Sequence, residues 1–285
     1  MKHREITEKI LADDPMWVCP PERVPLDVFK YGDPEAECTG VAVAVAASVN
    51  VIRKAAEAGC SLVIAHENAF YIDTDETDWL KGNEVFEEKA AILDKHGITL
   101  WRYHDHMHHH KPDKMYMGVA AELGWQDYEV GGRSPNGGIL HQYMLPSPVN
   151  FGDLAKEVKE KFGLNGLRII GNQDAKVQKI GIMSHIFFAL ISGDKTMSIE
   201  KIHTIDMRQC DVDVLLTSET LDWTVLNYVR DAAELGKPLG VLAVGHFNRE
   251  RLGMRNMANV WLPKLINNAV PVKYIEAGDM FNFIY

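Results

Sequence analysis

The stretch WRYHDHMHHHKPDKMY, residues 101–116, places five of the chain's 12 histidines between His104 and His110. Imidazole is a common metal ligand near neutral pH, but a histidine-rich tract is by itself only a compositional hint. What decides is whether other donors converge on it. His66 and Glu67 close the apolar run SLVIA; His246 closes GVLAVG, with Glu250 four residues on. His104 and His108 are also four apart, which puts them on one face if the chain turns helical there. With ITLWRY before His104, three apolar runs thus end in histidine, and each has a carboxylate within four residues of it. Imidazole and carboxylate together suit Zn, Mn, Fe or Ni. The expected cofactor is one or two such divalent ions per chain, held by His66, Glu67, His104, His108, His246 and Glu250.

A bound cation of this kind brings the pKa of its water towards about 7, and two ions roughly 3.5–4 Å apart would clamp both nucleophile and substrate oxygen. Glu67 or Glu250, bound through one oxygen, could move protons. Asp105, beside two candidate ligands, could orient an imidazole. Glu219 ends the run VDVLLTSE and reads either as an acid facing a cleft or as a plain helix-start carboxylate. His106, His109, His110 and His141 have no assigned role. Arg133 fits an anionic substrate group or a surface turn. Each residue alone also reads as a solvated strand end or helix start; only the joint pattern points to a metal.

The elements that must position these groups alternate. GVAVAVAAS is a short, apolar, β-branched run, as buried strands are, and CSLVIAHEN and ITLWRYHD read as the next two strands. Between and after them VNVIRKAAEAG, NEVFEEKAAILDKHG and DKMYMGVAAELG have helical periodicity and stop at glycine. A turn-rich break, GGRSPNGG, follows. Then come DLAKEVKEKFG as a helix, LRIIG, KIGIMSH and VDVLLTSE as strands, and LDWTVLNYVRDAAELG as a helix. PLGVLAVGHF, RLGMRNMANVWLPKLINNA and VPVKYIEA read as strand, helix and strand. Strands alternating with helices imply sheets covered by helices. The expected organisation is an N-terminal α/β lobe over 1–125 and a C-terminal α/β lobe over 126–285, the last elements free to pack on the first. Ligands in such sheets gather at the C-terminal ends of strands, where the candidate donors sit.

Composition narrows the class. A hydrophobic share of 46%, with 25% charged residues, is ordinary for a soluble globular chain. The net charge of −10, with no long basic run, argues against nucleic-acid partners. No apolar run approaches the roughly 20 residues that span a bilayer, and MKHREITEKILADDP lacks a signal core, so the expectation is a cytoplasmic protein with no membrane partner. Cys19, Cys38, Cys60 and Cys210 lie far apart with no CxxC. Cys60 and Cys210 adjoin apolar strand patterns and read as buried thiols.

Several of these segments resemble the GTP cyclohydrolase I type 2-like, or Nif-three-like, family of dinuclear-metal hexameric proteins. They are VFKYGDP, GVAVAVAASVNVIRKAAEAGCSLVIAHENAFY, GHFNRE and VPVKYIEAGDMF. The resemblance covers most of the chain and implies that fold: two interlocked α/β lobes with mixed sheets. GHFNRE fits the family's Gly-His with a Glu four residues after the His. TSET resembles a Thr-Gly-Glu or Thr-Gly-Asp turn, and GGRSPNGG a glycine-arginine turn. The chain departs from the pattern where the family has a His-His pair, because Glu67 stands at the second position. The bridging aspartate falls on His108 in one register and on Asp105 in the other. A glycine-rich segment after KIGIM is replaced by SHIFFAL. These departures describe an atypical member.

The resemblance implies a homo-hexamer, a trimer of dimers. With the donor set, it implies a metal-dependent hydrolase, cyclohydrolase- or amidohydrolase-like, using a metal-activated water on a small polar substrate, N-heterocycles included. A metal-binding ring-shaped scaffold or regulator without activity, and a mononuclear iron oxygenase, are the alternatives.

Overall fold

The structure, a computed structural model, describes residues 1–13, 17–132, 140–185, 211–220, 222 and 225–284. The chain falls into two compact units, residues 1–118 with 250–278, and residues 119–249 with 279–285.

The first unit begins with helix α1, His3–Ala12, and contains strands β1 (Phe29–Tyr31), β2 (Val41–Ala44), β3 (Leu62–Ala65) and β4 (Thr99–Arg102). Its helices are α2 (Val49–Glu57), α3 (Glu84–His96), α4 (Asp105–His109) and the start of α5 (Lys114–Leu123). Strand β11, Val272–Tyr274, returns from the far end of the chain to pair with β2, giving a five-stranded sheet ordered β1-β4-β3-β2-β11. Only β1 runs antiparallel, against β4. β2, β3 and β4 are buried at every position, which is why β2 and β3 read as continuous apolar runs, while β4 also buries Thr99 and Arg102.

Local chemistry fixes the helices. Ser48 caps α2 by accepting the Val51 N–H, and Asn83 caps α3 by accepting that of Phe86. Gly97 ends α3 in the left-handed conformation, with φ of 59°. Val51, Ile52 and Ala55 of α2 and Leu93 of α3 form one core cluster with Ala42, Ala44, Val63, Ala65 and Leu100 of the sheet. Cys60 belongs to the same cluster, as its apolar setting predicts.

The second unit holds a six-stranded mixed sheet, in the order β5-β6-β8-β9-β10-β7. The strands are β5 (Glu129–Gly131), β6 (His141–Asn150), β7 (Arg168–Gly171), β8 (Lys176–His185), β9 (Val214–Glu219) and β10 (Gly240–Ala243). Helix α6 is Phe151–Phe162 and α7 is Val225–Glu234. Val225, Leu226 and Val229 of α7 pack on Met183, Leu215 and Val241. Helix α8, His246–Asn256, begins here and continues from Glu250 as part of the first unit, which also holds the π-helical turn Met257–Trp261 and the short α9, Leu262–Leu265. The mixed α/β class expected from the sequence is the class observed. No helix among the described residues is long and apolar enough to cross a membrane.

Candidate metal centre

β2, β3 and β4 lie in register, Ala44 opposite Ala65 and Ala65 opposite Arg102, so their C-terminal ends finish level. The ladder runs on beyond them: Glu67 N–H donates to Val45 O at 2.8 Å, and Tyr103 N–H to Ala65 O at 2.9 Å. This brings the buried His66 beside Tyr103, whose carbonyl accepts from His66 Nδ1 at 3.0 Å. A carbonyl only accepts, so the proton sits on Nδ1 and the lone pair on Nε2. Burial, opposed in part by the Glu250 carboxylate, holds the imidazole well below its ordinary pKa and keeps it neutral.

His104 and His108 reach the same place from α4. His104 Nδ1 bonds Asp105 Oδ1 at 2.9 Å, and His108 Nδ1 bonds Asp113 Oδ2 at 3.2 Å. Asp113 is itself fixed, because its other oxygen accepts the N–H groups of Met115 and Tyr116 at the start of α5. Burial would push the Asp105 carboxyl up, but the His104 hydrogen bond and the nearby Arg23 hold it below the ordinary range, ionised and accepting. Arg23 Nη2 shares Oδ1 at 3.3 Å, and Oδ2 is buried with no hydrogen-bond partner among the described residues.

The three rings pack at centroid distances of 4.6–5.0 Å. Their donor atoms lie within 4.8 Å of one another, as do those of His66, Glu67 and Glu250, so two potential metal-binding groups share His66. His66 Nε2 is 3.2 Å from His108 Nε2 and 3.7 Å from Glu250 Oε2.

This donor set fits a divalent cation. All three imidazoles give Nδ1 to an oxygen acceptor, the arrangement found on metal-ligating histidines. In their neutral forms each then presents an Nε2 lone pair. Two such lone pairs at 3.2 Å repel unless a cation lies between them, either a proton on one ring or a metal held by both. Bonds of about 2.0–2.1 Å to one ion put neighbouring nitrogens roughly 3 Å apart, close to the separation seen. The sequence left two registers open, and the structure places their two residues differently. His108 stands in the group, and Asp105 holds His104.

Arg102 shapes the other edge. This buried guanidinium donates from Nε to His66 O at 3.2 Å and from Nη1 to Asp73 O, and its Nη2 lies 3.9 Å from Glu67 Oε2. The loop beyond Glu67 is pinned by Asp75, which accepts the N–H groups of Ala69 and Phe70 at 2.7 and 2.8 Å.

Glu250 is placed by a close crossing of α5 and α8. A Cβ on Gly118 would stand 2.6 Å from Gly253 Cα, and one on Gly253 would stand 2.9 Å from Met115 Cα. Only glycine permits that approach.

His246 and Glu219 belong to the second unit. There Glu219, at the end of β9, accepts from His246 Nδ1 at 2.6 Å. Glu219 is therefore a histidine partner, a role that the sequence reading did not give it. The remaining histidines of the tract give Nδ1 to other groups: His106 to Asp27, His109 to Asp105 O and His110 to Pro112 O. His141 bonds Glu129. Sequence reasoning missed Asp27, Arg102 and Asp113. Asp113, five residues after His108, could have been found as a nearby carboxylate; the other two carry no motif. Arg133, the GGRSPNGG turn past Gly132, Cys210 and most of SHIFFAL lie outside the described residues.

The profile of the Duf34/NIF3 (NGG1p interacting factor 3) family matches residues 24–277. A Clostridium perfringens protein named GTP cyclohydrolase 1 type 2 homolog is 24% identical over 262 residues, 89% of each chain. A Clostridium acetobutylicum protein of the same name is 24% identical over 225 residues, 77% of this chain and 75% of that one. Among solved structures, a Bacillus cereus protein related to NIF3 superposes with a TM-score of 0.68 at 14% identity, covering 100% of this chain and 99% of that one. Reduced HcgD from Methanocaldococcus jannaschii does so with a TM-score of 0.66 at 17% identity, covering 97% of both. At such identities the superpositions speak for the fold alone.

Proposed function

The chain belongs to the Duf34/NIF3 family, and on that premise we propose that it is a metal-dependent hydrolase of small polar substrates. The carrying observation is the 3.2 Å approach of two imidazole nitrogens whose partner nitrogens are both tied to oxygen. His66, His104 and His108 would hold the ion, with Glu67 and Glu250 joining through His66. N-heterocycles fall within the proposed substrate class because relatives at 24% identity are named as cyclohydrolase homologues. A set of three imidazoles favours Zn, Fe or Ni over harder, all-oxygen ions.

When bound, such a cation would bring the pKa of a water ligand towards about 7 and polarise a substrate oxygen. The chain's own residues do the rest. Glu67 is only partly buried, so its carboxylate can reach a substrate proton. Arg102 Nη2, 3.9 Å from Glu67 Oε2, gives that carboxylate a cationic neighbour. Asp105 and Asp113 keep the His104 and His108 rings in one tautomer, with Nε2 of each left for the ion.

The test is metal analysis of protein purified without added metal, followed by a substrate screen with and without oxygen. About one equivalent of a transition metal, lost in His66→Ala, and turnover of a cyclic amide or amidine without oxygen are expected. The expected ligation by His246 is read from His246→Ala in the same analysis. A fully loaded protein inert to every substrate would favour a scaffold, and oxygen-dependent turnover an oxygenase; either result overturns hydrolysis.

A further inference from the structure

Helix α4 carries His104 at its N-cap and His108 in its body, yet it has only five residues. A helix so short does not hold itself together in water. Nor does it cap itself, because the His104 side chain makes no capping bond. The exposed N–H groups at its start must be satisfied from elsewhere.

They are satisfied by one buried carboxylate 77 residues away in sequence. Asp27 Oδ1 accepts from His104 N–H and from Asp105 N–H at 3.0 Å. Asp27 Oδ2 accepts from His106 N–H at 2.8 Å and from His106 Nδ1. Four donors fill the roughly four acceptor positions of an ionised carboxylate. Asp27 is held in turn by the sheet. It sits two residues before β1, where Phe29 pairs with Trp101, and Arg102 N–H donates to Val28 O at 3.2 Å. A pairing at the edge of the sheet thus locks the carboxylate beside the exit of β4.

We infer that Asp27 is a positioning residue for the metal centre. By holding three consecutive N–H groups it sets where α4 begins, and so the distance between the His104 and His108 rings. The same geometry gives His106 a function: its ring closes the fourth bond on Asp27 and serves as a pin, not as a ligand. Nothing in the histidine-rich tract itself carries this information. The inference rests on the metal reading above, because a position matters here only if the two rings share an ion.

Co²⁺ is a suitable probe, since its visible d–d bands report the arrangement of its ligands as well as its occupancy. Full-length protein stripped with chelator would be titrated with Co²⁺ against a competing chelator, for the wild type, Asp27→Asn and His106→Ala. Asp27→Asn keeps the shape but leaves one acceptor oxygen for the N–H groups and puts a donor in place of the other. The expected result is a 10- to 100-fold loss of Co²⁺ affinity, the usual size for a partner of a ligand, with altered d–d bands and a retained cooperative melt. His106→Ala should weaken binding about three- to ten-fold. Wild-type affinity and bands in Asp27→Asn overturn the inference and leave the metal reading standing. A wild type that takes up no Co²⁺ overturns both. If Asp27→Asn does not fold, His106→Ala decides: unchanged affinity and bands overturn the inference, and weaker binding with altered bands supports it.

Discussion

His108 and His110 stand two residues apart on the same tract, yet their surroundings predict opposite outcomes. His108 faces His66 Nε2, whereas His110 bonds the Pro112 carbonyl and lies near Asp13. His108→Ala is therefore expected to remove most of the metal found by elemental analysis, and His110→Ala to leave it within error of wild type. Equal losses would mean that the tract binds diffusely. A second single-residue outcome concerns Lys89. Burial pushes its ammonium down to about 8, against a smaller raising effect of Asp75, while its Nζ donates to Ala69 O beside Phe70 and Tyr71. Its ordinary pKa is about 10.4, so between about pH 8 and 10 the unfolded chain holds a proton that the folded chain has lost. Stability from this group must rise with pH across that window, by up to about 3 kcal/mol. Denaturant melts at pH 7.5 and 9.5 should show the rise in wild type and lose it in Lys89→Met. Above about pH 10 Tyr31 acts the other way. Burial and its bond to Asp94 raise it to about 12, so the unfolded chain ionises first and stability falls.

Among the elements, α5 and α8 cross with no room for a side chain between Gly118 and Gly253. Gly118→Ala would force a methyl against Gly253 Cα. Overpacking of this kind costs about 1–3 kcal/mol, and because Glu250 lies one turn before Gly253 the same push moves a candidate ligand. The expected result is a lower melting temperature together with weaker metal binding, measured by chelator competition. A variant with a lower melting temperature and unchanged affinity would separate Glu250 from the centre. Most strands and most helices were legible because each has a period and a stop: β2 and β3 are unbroken apolar runs, and α3 ends at Gly97. β6 was not, since Pro146 and Pro148 argue against a strand. Both fall in the irregular stretch between Met144 and Val149, where the pairing with β8 shifts register. α4 enters from the sequence only as a conditional helix, because what makes it one is Asp27, 77 residues away. At the site, His66, Glu67, His104, His108 and Glu250 announced themselves at strand ends or by spacing. The groups that orient them did not, because a lone aspartate or arginine has no periodicity to betray it.

For the whole molecule, the family resemblance implies a homo-hexamer, and we propose that assembly for this chain. Light scattering of the metal-loaded protein should report about six copies of the 32.1 kDa chain, and a stable monomer at micromolar concentration would end the proposal. One further consequence follows from the path of the chain. Strand β11 pairs Val272 with Val41, and Glu250, a donor beside His66, is also supplied by the returning segment. On a ribosome, residues 1–118 therefore emerge without the strand that closes one edge of their sheet. They wait through the synthesis of residues 119–249 before it arrives. Until then β2 presents an open row of backbone donors and acceptors, the kind of edge that recruits unwanted partners. A nascent chain halted near residue 249 should be the species most dependent on chaperones, and it could not yet have captured metal through Glu250.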